Sequence, residues 1–204
     1  MYNKSNYKVT GGRSMAQQYT RKVIRDAFVK MLNERPLNKI TVKDIVSVCE
    51  INRNTFYYYY PDVYALLEEI FQTELQQVID EYNNTLSWEE SFLLATSFAI
   101  ENKKAIYHVY NSLQREELEK YLYNVAGNIM NRYVEDICSD IAAAESDKRL
   151  IATFYQSALT QMVLHWIGTG MKEEPEKVIR RIGLLFDGNI ALSLQRSADL
   201  KDRW

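Results

Sequence analysis

Glycine and proline are scarce in this sequence, with 7 and 3 residues among 204. So little turn-forming material disfavours a many-stranded fold and predicts long helices. Cysteine is scarce too: Cys49 and Cys138 lie far apart and form no C-x-x-C pair, which argues against a disulfide framework and a structural zinc site. The two histidines, His108 and His165, have no matching carboxylate or cysteine spacing, so neither a metal nor another cofactor is predicted.

Long apolar runs are also missing. No run approaches the roughly 18–20 residues that a bilayer-spanning helix needs, and residues 2–6 are polar, unlike the apolar segment of a signal peptide. We therefore expect a cytoplasmic protein without a membrane partner. The hydrophobic content of 47% is sufficient for a globular core.

The charge is distributed unevenly along the chain. Residues 1–60 contain 11 Lys and Arg against 4 Asp and Glu, a net of +7, whereas residues 61–204 contain 14 against 23, a net of −9. A division of this size indicates a polyanion-binding segment followed by an acidic body. A chance difference between two solvated surfaces is the alternative.

Apolar residues recur at intervals of three and four along most of the chain, and no strand-type alternation persists. This pattern predicts an all-α fold of about nine helices. Residues 1–14 lack the pattern and are predicted to form a flexible arm, and the first helix is expected from Thr20. Thr41 followed by Asp44 indicates a capping box. Two short helices with about three or four residues between them then follow, which is typical of a helix-turn-helix.

The second of these short helices, residues 52–60 (NRNTFYYYY), is the most informative segment. Phe56 and Tyr60 are predicted to face the preceding helices. The remaining positions carry amide, guanidinium, hydroxyl and phenol groups, which bind base edges and phosphates in the major groove. The alternative is that four consecutive tyrosines pack a core, but a helix cannot bury four consecutive side chains on one face. We predict a recognition helix whose exposed or terminal residues are Asn52, Arg53, Asn54, Thr55, Tyr58 and Tyr59.

Residues 41–67 (TVKDIVSVCEINRNTFYYYYPDVYALL) closely resemble the DNA-binding signature of the tetracycline-repressor (TetR) family. The resemblance implies homodimers whose paired heads bind a palindromic operator in double-stranded DNA. It also implies a C-terminal pocket that senses a small-molecule effector. We accordingly predict a helix-turn-helix DNA-binding domain over residues 15–61 and a helical regulatory and dimerisation domain over residues 62–204.

Carried over to this sequence, the resemblance implies that Thr41 caps a helix and contacts phosphate, and that Arg53 and Asn54 read bases. Two positions depart from the family pattern. Glu50 replaces the glycine of the turn, so either a positive φ carries a cost there or the turn is built differently. Val63 replaces the lysine that opens the fourth helix, a loss for which Arg13, Lys39 and Lys43 could compensate. The predicted DNA-binding residues are Thr41, Lys43, Asn52, Arg53, Asn54, Thr55, Tyr57, Tyr58 and Tyr59.

The remaining chain offers polar and amphipathic groups in apolar surroundings, which could line a ligand pocket. Each could equally be a core side chain with its polar atom satisfied. The predicted ligand-binding residues are Tyr107, His108, Tyr110, Tyr155, Gln156, His165 and Trp166.

The last two predicted helices carry apolar faces wider than one packing partner covers, which favours a four-helix dimer seam over a monomer core. The predicted seam residues are Phe154, Ala158, Met162, Ile182, Leu185 and Phe186. Residues 165–176 also resemble the C-terminal domain of a TetR subgroup that includes activators of dihydroxyacetone-kinase operons.

These features favour a ligand-responsive transcriptional regulator, expected to be a repressor. A second hypothesis keeps the same DNA-binding head but gives it a body that binds a protein partner and acts as a coactivator. An all-helical enzyme is the third class, but no nucleophile, general base or phosphate-binding loop is recognisable, so no catalytic residue is predicted.

Overall fold

The computed structural model describes residues 11–82, 87–186 and 188–201, and it confirms the predicted all-α fold. Ten α-helices and two short 3-10 turns occur in these ranges, and no strand does. The helices are α1 (Gly11–Glu34), α2 (Val42–Val48), α3 (Arg53–Tyr59), α4 (Val63–Tyr82), α5 (Trp88–Glu101), α6 (Lys103–Tyr110), α7 (Arg115–Ile137), α8 (Glu145–Gly168), α9 (Pro175–Phe186) and α10 (Asn189–Lys201). The last predicted helix is thus two helices, which lie on either side of Gly188, whose φ is +70°.

The first helix begins at Gly11, nine residues before the predicted start at Thr20. The prediction of a flexible arm is therefore wrong for residues 11–14, and its remainder, residues 1–10, lies outside the described residues. Sequence periodicity missed this extension because residues 15–19 are all exposed and so form no buried stripe.

Local hydrogen bonds fix the starts of two helices, of which the one at Thr41 was predicted. The Thr41 hydroxyl accepts from the Asp44 backbone N–H at 3.3 Å, and the Asp44 carboxylate accepts from the Thr41 N–H at 2.9 Å. Ser87 and Glu90 repeat this arrangement at the start of α5, with distances of 3.2 and 3.0 Å. Each reciprocal pair satisfies two backbone N–H donors that a helix leaves unpaired.

Helices α1, α2 and α3 pack around a small apolar core that continues into α4. Ile24 and Phe28 of α1, Ile45 of α2, Phe56 of α3 and Leu66 of α4 are all fully buried. Residues spaced three and four apart supply this core, because that spacing places them on one face of each helix.

The body is built around α7 and α8, which run antiparallel. Gln156 of α8 lies so close to Gly127 of α7 that a Cβ there would be 2.5 Å from its side-chain nitrogen. Phe71 of α4 stacks on Tyr121 of α7 with ring centroids 4.9 Å apart, which joins the fourth helix to the body. No helix within the described ranges is both long and apolar enough to cross a bilayer.

Helix α6 connects the head, which consists of α1, α2 and α3, to the segment between α8 and α9 in the body. The Asn33 side chain on α1 accepts a hydrogen bond from the backbone N–H of Ala105 at 3.2 Å, in the first turn of α6. The ring N–H at Nδ1 of His108 donates to the Leu32 carbonyl at 2.6 Å. At the same end of α6 as Ala105, the Lys103 ammonium donates to the carbonyl of Met171, between α8 and α9, at 2.6 Å.

In the turn between α2 and α3, one residue adopts the left-handed backbone conformation at a position where glycine is common. Glu50 has φ +53°, so the turn keeps the positive φ, which carries a cost for a residue other than glycine, and is not built differently. We expect Glu50→Gly to raise the free energy of unfolding by about 1 kcal/mol over Glu50→Ala, because both remove the side-chain charge and only glycine removes the Cβ penalty. Urea unfolding measures the difference. Equal stability of the two variants would contradict strain at this residue.

Candidate DNA-binding surface and body cavities

A side-chain cap starts α3, the predicted recognition helix. The side-chain amide oxygen Oδ1 of Asn52 accepts from the Thr55 backbone N–H at 2.8 Å and from the Thr55 hydroxyl at 3.1 Å. Thr55 is half-buried, whereas Asn52 is exposed. Of the polar groups predicted here, the Asn52 amide oxygen and the Thr55 hydroxyl are therefore partly used in holding the helix start.

Two aromatic side chains attach α3 to the rest of the head. Phe56 and Tyr60 are buried, and the Tyr60 hydroxyl donates to the Glu69 carboxylate on α4 at 2.8 Å. Arg21 of α1 pairs with the other oxygen of that carboxylate at 3.4 Å. Burial, together with the hydrogen bond to Glu69, raises the pKa of Tyr60 well above its usual value, so the phenol stays neutral.

The opposite face of α3 is open. Arg53 and Asn54 are exposed, and neither side chain has a hydrogen-bond or ion-pair partner in the described parts of the chain. Tyr57 and Tyr58 are exposed by 52% and 71%. Thr41 and Lys43, at the start of α2, are exposed as well. Seven of the nine predicted residues are therefore exposed at α2 and α3.

Tyr59 is not exposed as predicted. It is half-buried against the head core, with the Arg21 guanidinium 5.6 Å from its ring centroid. It lies three residues after Phe56, which places it beside the buried stripe rather than on the open face. The expected exposure of Tyr59 is therefore wrong, whereas Tyr57, which was not among the positions expected to be exposed, is exposed.

Sequence reasoning missed one neighbour of this surface, on α1, and the side-chain cap of the helix that follows α3. The Gln17 side chain of α1 donates to the Tyr58 hydroxyl at 3.3 Å, which places the unpredicted part of α1 beside the recognition helix. Asp62 accepts from the backbone N–H groups of Tyr64 and Ala65 at 2.8 and 2.9 Å. Its position directly before Val63 was the available signal, since Asp is a common helix cap.

The predicted ligand-binding residues do not line one pocket. The three on α6 contact other elements: Tyr107 is exposed, His108 binds the Leu32 carbonyl, and Tyr110 lies under the Arg115 guanidinium at 4.3 Å. Gln156 donates to the Tyr123 carbonyl at 2.9 Å, so it is a satisfied α7–α8 packing residue. The structure therefore does not bring these residues together at one place, because apolar surroundings in sequence do not reveal which helix face each group occupies.

The centre of the body is nearly filled. The space among α5, α6, α7 and α8 amounts to about 20 Å³, room for about one water molecule. A groove of about 670 Å³ lies between α8 and α9, with His165 and Trp166 on its border. A separate cavity of about 280 Å³ lies where α5, α7, α8, α9 and α10 meet, and Tyr155 lines it.

The predicted seam residues lie along the outer faces of α8 and α9. Phe154 is 68% exposed, and Ala158, Met162, Leu185 and Phe186 are also exposed, whereas Ile182 is half-buried against the core. Leu150, four residues before Phe154 and 68% exposed, extends the apolar face of α8. An exposed apolar area of this kind is typical of a protein–protein interface.

The Tyr60 hydrogen bond generates a stability prediction. We expect Tyr60→Phe to lower the free energy of unfolding by about 1 kcal/mol, because it removes a buried hydrogen bond. Tyr58→Phe, at an exposed hydroxyl, is the matched control and should change it by less than about 0.5 kcal/mol. The folded state raises the pKa of Tyr60, so its contribution to the free energy of unfolding should be fully present below about pH 10 and be lost as the pH rises further. The free energy of unfolding should therefore fall less steeply above about pH 10 in Tyr60→Phe than in the wild type. Equal losses in the two variants would contradict the anchoring role.

Two family models match the chain. The model described as bacterial regulatory proteins, tetR family, matches residues 24–70, and the one described as transcriptional regulator C-terminal region matches residues 86–188, about half of the chain. A curated protein, the HTH-type dhaKLM operon transcriptional activator DhaS of Lactococcus lactis subsp. lactis (strain IL1403), is 30% identical over 84 residues. That segment covers 41% of this chain and only 45% of the relative.

Three solved structures share the fold. The dihydroxyacetone kinase operon activator DhaS has a TM-score of 0.71 at 22% identity and covers 85% of this chain and 97% of its own. A TetR transcriptional regulator from Streptococcus agalactiae 2603V has a TM-score of 0.57 at 17% identity, with coverages of 83% and 94%. The fatty acid degradation regulator FadR from Bacillus halodurans has a TM-score of 0.55 at 17% identity, with coverages of 86% and 94%. With both halves matched by family models, the chain belongs to the TetR family of DNA-binding transcriptional regulators.

Proposed function

We propose that this regulator binds a palindromic operator as a homodimer, and that a small molecule bound in its body changes its operator affinity. The observation that carries the proposal is the open face of α3. Arg53 and Asn54 present unpaired donors at the N-terminal end of a helix whose opposite face is buried. The N-terminal residues of a recognition helix are those that meet base edges in the major groove.

The chemistry of the exposed side chains fits this role. A guanidinium such as that of Arg53 can bind guanine through two hydrogen bonds, and an amide such as that of Asn54 can bind adenine. Exposed Lys43 and the net positive charge of residues 1–60 suit the phosphate backbone. We assign DNA binding to residues 15–61 and regulation to residues 62–204.

The apolar area on α8 and α9 supports a two-fold dimer. Phe154, Met162 and Leu185 would be buried against the same helices of a second copy, which satisfies the requirement that a two-fold interface be self-complementary. A dimer of this kind suits DNA when its two recognition helices lie about 34–36 Å apart. A ligand that binds better to a dimer with another spacing would lower operator affinity by that difference.

A body that binds a protein partner is the second candidate. The nearly filled centre of the body favours it, because the space among α5 to α8 cannot hold an effector. The relatives also bear on the sign of regulation: both the curated relative and one structural neighbour are operon activators. We therefore propose activation of transcription as the alternative to the repression expected from the sequence.

Base reading by α3 can be tested with a duplex selected from a random library by the wild-type protein. We expect the double variant Arg53→Ala, Asn54→Ala to bind it at least about 30-fold more weakly in fluorescence anisotropy, since each base contact contributes about 1–3 kcal/mol. Arg149→Ala, an exposed arginine on α8, is the control and should bind normally. Unchanged binding by the double variant would contradict the proposal.

The dimer seam can be tested by adding charge to it. We expect Phe154→Arg to be monomeric at micromolar concentration in sedimentation equilibrium, because the seam would bury an unpaired cation. Leu113, between α6 and α7, is 99% exposed, so Leu113→Arg is the matched control and should remain dimeric. A dimeric Phe154→Arg protein, or a monomeric control, would count against this interface.

A further inference from the structure

We propose that the cavity among α5, α7, α8, α9 and α10 binds a monovalent organic cation, that is, an alkylated or protonated amine with an apolar substituent. The inference rests on the proposed function, in which the body senses a small molecule. It specifies the site at which this molecule binds and its chemical class. The cavity measures about 280 Å³, near the lower end of the range of about 300–1,000 Å³ for ligand sites.

Aromatic side chains from four different helices line this cavity. Trp88 comes from α5, Tyr133 from α7, Tyr155 from α8 and Phe186 from α9. The rings of Trp88 and Tyr133 have centroids 6.3 Å apart and planes inclined by 53°, so they form two adjoining walls rather than a stack. The face of an aromatic ring carries a negative potential that attracts a cation, so a cavity with several aromatic walls suits one.

The charge at the cavity has the sign that a cation requires. Among the lining residues that the structure describes, Glu89 is the one charged side chain, and no Lys, Arg or His lines the cavity. Glu89 is half-buried, and within the described ranges its carboxylate has no hydrogen-bond or ion-pair partner. Ser87 and Glu90 already form the capping box of α5, so capping does not account for Glu89.

Gly183 on α9 leaves the room that the Glu89 carboxylate occupies. A Cβ at this position would be 2.6 Å from a carboxylate oxygen of Glu89, closer than real contacts allow. An anionic ligand would be repelled by this carboxylate, and a neutral apolar ligand would gain nothing from it. Aromatic walls with a single unpaired carboxylate therefore select an organic cation.

The position of the cavity links such a ligand to the proposed dimer. Phe186 both lines the cavity and belongs to the exposed apolar face of α9. An occupant between α9 and the helices beneath it would change how α9 packs, and with it the seam between two copies. The ligand would then change the spacing of the recognition helices.

The test compares benzyltrimethylammonium with its uncharged carbon isostere, neopentylbenzene, by equilibrium dialysis against the full chain. We expect the cation to bind wild type at least about tenfold more tightly than the isostere, a difference of about 1.4 kcal/mol. Glu89→Gln should remove that preference. Glu101→Gln, at the other end of the same helix, is the matched control and should keep it. Trp88→Leu should weaken binding of the cation.

The wild-type comparison does not depend on any variant folding. Equal binding of the two probes to wild type, no binding of the cation, or an unchanged preference in Glu89→Gln would each overturn the cation site. None of these results would affect operator binding, which the Arg53 and Asn54 variants test. Loss of operator binding in those variants together with no cation binding would leave the DNA-binding proposal intact and remove this one alone.

Discussion

The recognition helix has only seven residues, which is too short to be stable in isolation, so its orientation depends on what holds its inner face. Phe56 and Tyr60 supply that hold by burial, and the Tyr60 hydroxyl adds a hydrogen bond to Glu69, a carboxylate that Arg21 also contacts. Three helices therefore meet at one side-chain network. With the inner face held, Arg53 and the residues beside it face away from the protein, and the proposed reading of DNA follows from that constraint.

The head is joined to the body through polar contacts at α6 as well as through α4. Asn33 and the Leu32 carbonyl hold α6 from the head side, and Lys103 holds the Met171 carbonyl between α8 and α9. Helix α6 is therefore the single element between α1 and the segment that precedes α9. Under the proposed function, a change in the packing of α9 would reach α1 through it. The predicted ligand residue His108 thus belongs to this junction.

Local sequence determined what could be predicted. The caps at Thr41 and Ser87 involve residues three apart, so the sequence shows both partners, and apolar periodicity located most helices. The start of α1 was missed because an exposed helical segment has no apolar stripe. The cavity was missed because Trp88 and Phe186 are far apart in sequence and meet only through packing of α5 against α9. The spacing of Tyr59 from Phe56 was visible in the sequence, but Arg21, whose guanidinium lies over the Tyr59 ring, comes from another helix.

The most direct measurement is a crystal structure of the protein bound to a duplex that it selects from random sequence. The account predicts two copies related by a two-fold axis, recognition helices about 34–36 Å apart in successive major grooves, and Arg53 and Asn54 on base edges. A complex in which α3 lies outside the groove, or in which Arg53 and Asn54 contact neither bases nor phosphates, would contradict it.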